Sequence, residues 1–522
     1  MSNATPAAFR QPLTGDKIID AITSGYSWGL TADRTLDYSI SGGISGESWE
    51  YPDNNLSVFG DILSIFSLYA NIRFASVGVF VDPKLAATGG SEIDFTIDGK
   101  NSYTDRSDVA AFTLYPAAQN DLQYAGGPGD IFLNSHGYLN QISDVSAGTV
   151  ALHVLLHEIG HALGLKHAND DDDVGRPDLA SLSLSDFDHA WFTIMRSSIE
   201  SGADPQRFNP ATPMVLDVLA LQYLYGANMA TNAGDTVHDV RAVGYYSTIW
   251  DASGLDTVSA ATSAYGWRIE LPDAILSRLA PTKVGIASPM DELANETPGT
   301  LFWLMGDLEN ATGSASADDI IGNAFNNTLL GGGGNDTIDG GGGSNYLRGE
   351  DGDDSMLGGA GFDDINGNMG DDVASGGDGA DWVVGGKDDD SLSGDAGADI
   401  VYGNLGDDTC AGGSGDDIVR GGQQDDVLSG DAGADWMSGD RGDDTITGGA
   451  GADVFHTFGE AGIDRVTDFN RADGDRVQLD PGTTYTVAAS GTDVVISLGG
   501  GGQMVLVGAS LSSLTGDWIF GA

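Results

Sequence analysis

Cysteine is all but absent: Cys410 is the only one in 522 residues, so no intrachain disulfide can form. Stability must come from packing or from bound metal. Basic residues are scarce too, 22 Lys and Arg against 78 Asp and Glu, giving a net charge of -56. That balance excludes nucleic acid and anionic membrane surfaces as partners, because both would repel the chain, and points to multivalent cations. The first ten residues hold no apolar signal-peptide core, and no stretch is apolar and long enough to span a bilayer. By these cues the chain is expected to be soluble, with export by a route other than the usual N-terminal one. Its length exceeds a single ordinary core, so at least two domains are expected.

What the chain does have is concentrated in two places. The first is His157-Glu158-Ile159-Gly160-His161-Ala162-Leu163-Gly164-Leu165-Lys166-His167, which holds three of the eight histidines. His157 and His161 are four apart, one helical turn, so both imidazoles stand on one face and each offers zinc a nitrogen. Gly164 tolerates the left-handed turn that ends such a helix and swings His167 in as third ligand. Three protein ligands leave an open position for water, which a purely structural zinc would not have. Glu158, beside the first ligand, is the candidate general base for that water. The extended pattern is already established as the mark of metzincin proteases. A bare HExxH arises by chance on ordinary helices; the added glycine and third histidine at fixed offsets make that reading improbable. His153, also four residues from His157, lies outside the pattern and is taken as a structural helix histidine.

The second place begins near residue 313. Glycine recurs every nine residues from Gly313 to Gly448, sixteen times, and the sixth position of each nonapeptide is Asp or Asn. The eighth is apolar, as in Ile338, Leu347, Met356 and Ile365, with Ala374 and Cys410 the smallest. This is the established calcium-binding parallel β-helix repeat. Two nonapeptides per turn make about eight turns, on the order of 35 to 40 Å of roll at the usual strand spacing. Each repeat is expected to spend six residues on a glycine-rich turn and three on a strand whose middle residue points inward. Carbonyl and aspartate oxygens from stacked turns suit calcium. Disorder is the competing reading of a Gly/Asp-rich segment, but a disordered chain has no reason to keep apolar residues in phase with aspartates. Residues 313–456 carry 31 acidic and four basic side chains, a balance of -27, so the roll is expected to fold only with calcium. Ser316, Phe325, Asp388 and Gln424 replace the fourth-position glycine, and Asn327 and Asn345 the aspartate. Those turns are expected to bind weakly, the first two acting as a cap.

Elsewhere, Phe59 to Tyr69 and Val215 to Tyr225 have helical apolar spacing. Ile72–Phe74, Val77–Val81 and Asp130–Asn134 read as strands. The zinc helix is expected to start near Ser146 or Thr149. Beyond 456, four segments beginning at Asp464, Arg476, Asp493 and Met504 read as strands that finish the roll.

With these motifs in place the chain resembles a serralysin, a secreted bacterial zinc endopeptidase with a C-terminal calcium-binding β-roll. The likeness runs through residues 157–167 and Thr193-Ile194-Met195, which is similar to the family's methionine turn. It continues in Pro213–Val218, Leu221–Asn228, Ile249–Thr257 and Glu309-Asn310-Ala311. The resemblance implies an α+β metzincin-type catalytic domain over 1–228, with the first 20 or so residues a candidate pro-segment. Junction strands over 229–312 lead to an all-β parallel β-roll over 313–456 and a C-terminal β cap over 457–522. It implies one catalytic zinc on His157, His161 and His167, Glu158 as general base, and Met195 as a hydrophobic floor. It implies structural calcium on Asp336, Asp354, Asp363, Asp372, Asp381, Asp390, Asp399, Asp408, Asp417, Asp426, Asp435, Asp444 and Asp453, and at the junction on Asp251, Asp256 and Glu309. The terminus Asp517-Trp518-Ile519-Phe520 is similar to the family's secretion signal, read by a type I exporter of a Gram-negative cell. A monomer acting on extracellular proteins follows. One departure stands out: the family's zinc-steadying tyrosine, two residues after the turn methionine, is Ser197 here. A serine is too short for that work, and Arg196 beside it is expected to be a surface residue. This leaves open a second reading, a weakly active or non-catalytic exoprotein whose calcium roll is the working part. Asn169 to Asp173 is expected to be a solvated acidic loop.

Overall fold

The computed structural model describes residues 7–10, 14, 16–24, 26–30, 32–41, 52–80, 86, 92–98, 111–113, 131–134, 145–168, 190, 192–195, 209–276, 282–293 and 298–521. Its N-terminal part contains helices α1 (Lys17–Ile22), α2 (Pro52–Tyr69), α3 (Val150–Ala162) and α4 (Val215–Tyr225). The apolar spacing of Phe59, Ile62, Leu63, Phe66 and Tyr69 puts all five on the buried face of α2. That helix begins seven residues before the apolar run, at Pro52, where a missing N–H costs nothing. Arg73–Phe80 is one strand rather than two segments. Gly78, at φ +117°, absorbs a register shift against Thr35–Ser41 without leaving the ladder.

Five strands form one sheet in the order Arg73–Phe80, Thr35–Ser41, Ile93–Asp98, Ile131–Asn134, Ala111–Thr113. All pairings are parallel except the last. Leu36, Ile40 and Phe95 of this sheet share a core with Phe66, Leu155, Ile159 and Leu219 of the helices. The same core takes in Trp250 and Met305, which lie on strands of the solenoid, so the two parts pack against each other. Among the described residues no helix is long and apolar enough to cross a membrane.

From Val237 onward the chain winds into a parallel solenoid built of a thirteen-stranded and a sixteen-stranded sheet. Within the nonapeptides, as far as Trp436, each strand pairs with the one eighteen residues on, as in Ser355↔Val373 and Trp382↔Ile400, so two nonapeptides close one turn. The eighth-position side chains stack inward. Ile338, Met356, Ala374, Leu392, Cys410 and Leu428 come from one sheet, and Leu347, Ile365, Val383, Val401, Val419 and Met437 from the other, none more than 3% exposed.

Two expectations need correction. Most central strands have six residues, not three, as in Ser355–Ala360, because positions two and three also pair with their counterparts on the next turn. The first nonapeptides are interior rungs, not a cap. Asn310–Thr312 pairs with Thr328–Gly333, and Trp267–Ile275 with Asp319–Ile321, so earlier strands already cover them. The strands expected after 456 continue both sheets to Ile519–Phe520.

Rungs stack so closely that a side chain at some glycines has no room. A Cβ on Gly415, at φ +141°, would sit 1.3 Å from the Gly397 carbonyl oxygen, whereas at Gly482, φ +86°, nothing lies within 4 Å. Gly415→Ala is therefore expected to cost about 1–3 kcal/mol from overpacking, with backbone strain in addition. Gly482→Ala should cost only the strain. Equal thermal midpoints for the two variants in calcium would refute this account.

Candidate metal centres

α3 opens at Thr149, whose hydroxyl accepts the Leu152 N–H at 3.2 Å, and it is buried from Leu152 onward. It ends at Ala162, and Gly164 takes the left-handed conformation at φ +97°. The chain then returns so that His167 Nε2 lies 3.2 Å from both His157 Nε2 and His161 Nε2. The candidate ligand atoms of the three histidines all fall within 4.8 Å of one another. Zinc bonded to nitrogen at about 2.0–2.1 Å in a tetrahedron needs nitrogens about 3.3 Å apart, so the spacing fits.

Backbone carbonyls orient two of the rings. His157 Nδ1 bonds the Ile194 oxygen at 2.7 Å, and His161 Nδ1 the Leu165 oxygen at 3.0 Å. Donating from Nδ1 leaves the Nε2 lone pair for a metal. Burial, then repulsion from the neighbouring histidines, holds His157 well below its ordinary value and His161 down to about 3. Both imidazoles are thus neutral, the form that ligates. Glu158 is buried beside His157 on α3, and Met195 is fully buried. Met195 explains Gly160: a Cβ there would lie 2.6 Å from the Met195 sulfur. His153 is buried too, and its Nδ1 faces Asn209 Oδ1 at 3.4 Å. Ser197, Arg196 and Asn169 to Asp173 lie outside the described residues.

Two supporting residues had no assigned role in the sequence. Asp217, in the first turn of α4 and fully buried, accepts the Thr193 hydroxyl at 2.6 Å and the Ile194 N–H at 2.8 Å. It also accepts the Met214 N–H at 2.9 Å. It therefore holds in place the residue whose carbonyl orients His157. Burial pushes its carboxyl up to about 7 despite these donors. At the other end of α4, the Tyr225 hydroxyl donates to the Leu163 oxygen at 2.6 Å, bracing the turn that leads to His167. The signal for Asp217 was an acid three residues into an otherwise apolar helix. Nothing local marked Tyr225.

In the roll the sixth-position aspartates form two columns. From Asp336 onward each Oδ1 accepts the N–H of the residue eighteen earlier, as Asp354 does from Asp336 at 2.8 Å and Asp381 from Asp363 at 2.9 Å. The opposite oxygen, Oδ2, is buried without a hydrogen-bond partner in Asp336, Asp354, Asp363, Asp372, Asp381, Asp390, Asp399, Asp408, Asp417, Asp426, Asp435 and Asp444. Asp453 is equally buried, its Oδ1 taken by the Asp435 N–H at 3.0 Å. The first-position glycine makes room for the carboxylate, since a Cβ on Gly349 would meet Asp354 Oδ2 at 2.1 Å. A row of orphaned buried oxygens, beside glycines that cannot take a side chain, fits an oxygen-seeking cation. Asn327 instead spends its amide on the Glu309 and Asn323 oxygens.

At the junction Asp251 Oδ2 is 2.8 Å from His238 Nε2, and the Asp256 N–H donates to Glu309 Oε2 at 2.9 Å. Asp256 Oδ2 is buried without a partner. Burial pushes the carboxyls of Asp251 and Asp256 up to about 6 and raises that of Glu309. Among the described residues no lysine or arginine balances these carboxylates, and burial lowers the pKa of His238, the histidine that faces Asp251.

Comparison with known proteins agrees with this division. The Matrixin family matches residues 81–188, and the RTX calcium-binding nonapeptide repeat matches six windows from 312–347 to 429–466. Serralysin G of Dickeya chrysanthemi is 30% identical over 270 residues, covering 49% of this chain and 50% of that protein. Serralysin C of the same organism is 34% identical over 149 residues, 26% of this chain and 31% of that one. Serralysin of Proteus mirabilis is 29% identical over 216 residues, 37% and 42%. The chain thus spans about a third to a half of the length of these relatives.

Asp217→Ala would strand two backbone N–H groups and a hydroxyl behind the methionine turn. Zinc affinity, read by chelator competition, is expected to fall about 10- to 100-fold with the β content of the roll intact; unchanged affinity would refute the bracing role. The roll has its own pH signature. Burial pushes Asp336, Asp390 and Asp426 up to about 8 and Asp372 and Asp435 up to about 7. A carboxyl whose folded value is raised above its unfolded one binds protons more tightly when folded. The metal-free roll is therefore unpenalised below about pH 4 and increasingly destabilised as pH rises to about 8. In EDTA, circular dichroism should show more β structure at pH 5 than at pH 8, and calcium should remove the difference. A folded, pH-independent spectrum in EDTA would contradict this.

Proposed function

With a Matrixin segment, RTX repeats and serralysin relatives supporting the serralysin family for this chain, we propose that it is a secreted, calcium-stabilised zinc endopeptidase that hydrolyses extracellular proteins. The observation that carries this reading is the convergence of three Nε2 atoms, two of them on rings oriented by backbone carbonyls. His157, His161 and His167 would hold the ion. A bound zinc supplies Lewis acidity that makes a water nucleophilic at neutral pH and polarises the substrate carbonyl. Glu158 takes a proton from the attacking water at its carboxylate and delivers it to the leaving amine. Met195 fills the floor below the ligands, and Asp217 and Tyr225 keep the ligand frame from shifting.

The sixth-position aspartates from Asp336 to Asp453 would hold calcium along the roll, and Asp251, Asp256 and Glu309 would hold it at the junction. On this reading residues 1–228 form the catalytic part, 229–312 the junction, 313–456 the repeat roll, and 457–522 a cap ending in a secretion signal at Asp517 to Phe520. A type I exporter of a Gram-negative cell would carry the monomer out. Cytoplasmic calcium is scarce, so a self-repelling roll stays open enough to thread and closes outside.

Ser197, in place of the family's tyrosine, favours the second reading, an exoprotein with weak or no turnover. Casein zymography with zinc and calcium separates the two. The wild type is expected to clear substrate and Glu158→Ala to lose about 100-fold or more of that activity. Identical lanes would eliminate the protease.

A further inference from the structure

The strict eighteen-residue register of the roll breaks at its next-to-last repeat. Thr445 pairs with Arg465 and Ile446 with Val466, twenty residues apart, after two extra residues in the preceding turn. The shift brings Asp464 onto the rung after Asp444, although the residue eighteen beyond Asp444 is Gly462. Asp464 alternates with Ile463 and Arg465 and so points inward with Val466, and both Asp464 and Asp444 are 0% exposed.

The bonding of these two carboxylates is incomplete. Asp444 Oδ1 accepts the Asp426 N–H at 2.9 Å, and Asp464 Oδ2 accepts the Thr457 hydroxyl at 3.1 Å. Asp444 Oδ2 and Asp464 Oδ1 are buried with no hydrogen-bond partner. The other column provides a contrast. Asp475 extends it past the repeats, but the protein occupies both its oxygens, with the Asp453 N–H at 3.2 Å and the Asn470 N–H at 2.7 Å. Two aspartates therefore extend the columns past the nonapeptides, and of the two only Asp464 has an oxygen without a hydrogen-bond partner.

We propose that Asp444 and Asp464, the latter braced by Thr457, form a buried divalent-cation site at the rung where the nonapeptides end. Half of it comes from the repeats and half from the C-terminal strands. Ile463–Val466 pairs directly with Gln503–Leu506, which carries the antiparallel hairpin Tyr485–Ser490 and Asp493–Leu498. A calcium-class ion there fastens that C-terminal unit to the roll. The inference rests on reading the sixth-position aspartates as calcium ligands.

The test is calcium content per chain by elemental analysis, with amide hydrogen exchange over Gln503–Leu506, on the full-length protein. Asp464→Asn is expected to carry one calcium fewer than the wild type and to lose protection in that strand, while Asp475→Asn keeps the wild-type count. An unchanged count and unchanged protection in Asp464→Asn would overturn the site. Should Asp464→Asn not fold, Thr457→Val removes only the brace. Its calcium midpoint for strand protection is then expected to rise about tenfold, about 1.4 kcal/mol, and an unmoved midpoint overturns the proposal. A wild type without calcium would instead defeat the reading of the roll itself.

Discussion

A carboxylate buried with one oxygen satisfied and the other left over is the constraint on which most of this chain depends. Each sixth-position aspartate spends Oδ1 tying its turn to the one below, and that bond gives the roll its regular pitch. The bond also fixes Oδ2 beside a glycine, in a space a methyl group would fill. The interaction that organises the stack thereby creates an anionic column inside it. No lysine or arginine is interleaved to balance that column. The four basic residues between 313 and 456 lie elsewhere, Arg348 paired with Asp364 and Arg420 with Asp440 on strands of the roll surface. Neutralisation must come from outside the chain, by proton or by cation.

The three-histidine site rests on a different device. Its ligands sit on a helix and the turn after it, and the frame that orients them is supplied by α4 through Asp217 at one end and Tyr225 at the other. That helix also shares a core with Trp250 and Met305 on solenoid strands. Packing therefore links the part that carries the three histidines to the first turns of the solenoid. It supplies a physical route by which the state of the roll bears on the rigidity of the ligand frame.

Much of this was legible in the sequence, and the exceptions share a cause. α4 was readable from Val215 to Tyr225 because its apolar rhythm is local, and the inward stack from Ile338 to Met437 because its period is strict. The histidine triple was readable because helix spacing and one glycine determine where its rings go. The six-residue strands were not, because positions two and three become strand only when the neighbouring turn is there to pair with them. The Asp217 hydrogen bonds to Thr193 and Ile194 were not, because they cross 23 and 24 residues of chain with no periodic signal. Asp464 fell outside the nine-residue frame through a two-residue insertion that only the strand register reveals. Period exposes what repeats; it is silent about contacts made once.

Burial acts on both metal centres, with opposite consequences. Desolvation disfavours charge, so it leaves His157 and His161 neutral, which is the form that donates a lone pair to zinc. The dry pocket and the ligand state agree, and that frame can form before any ion arrives. Desolvation of Asp336, Asp390 or Asp426 instead favours the protonated acid, which is the wrong form for calcium. There the fold and the ligand state conflict until a cation replaces the proton, so closing the roll and binding the ion are one event. A chain with one cysteine and no disulfide gains from that conflict a fold that waits for its surroundings, attached to a three-histidine frame that does not.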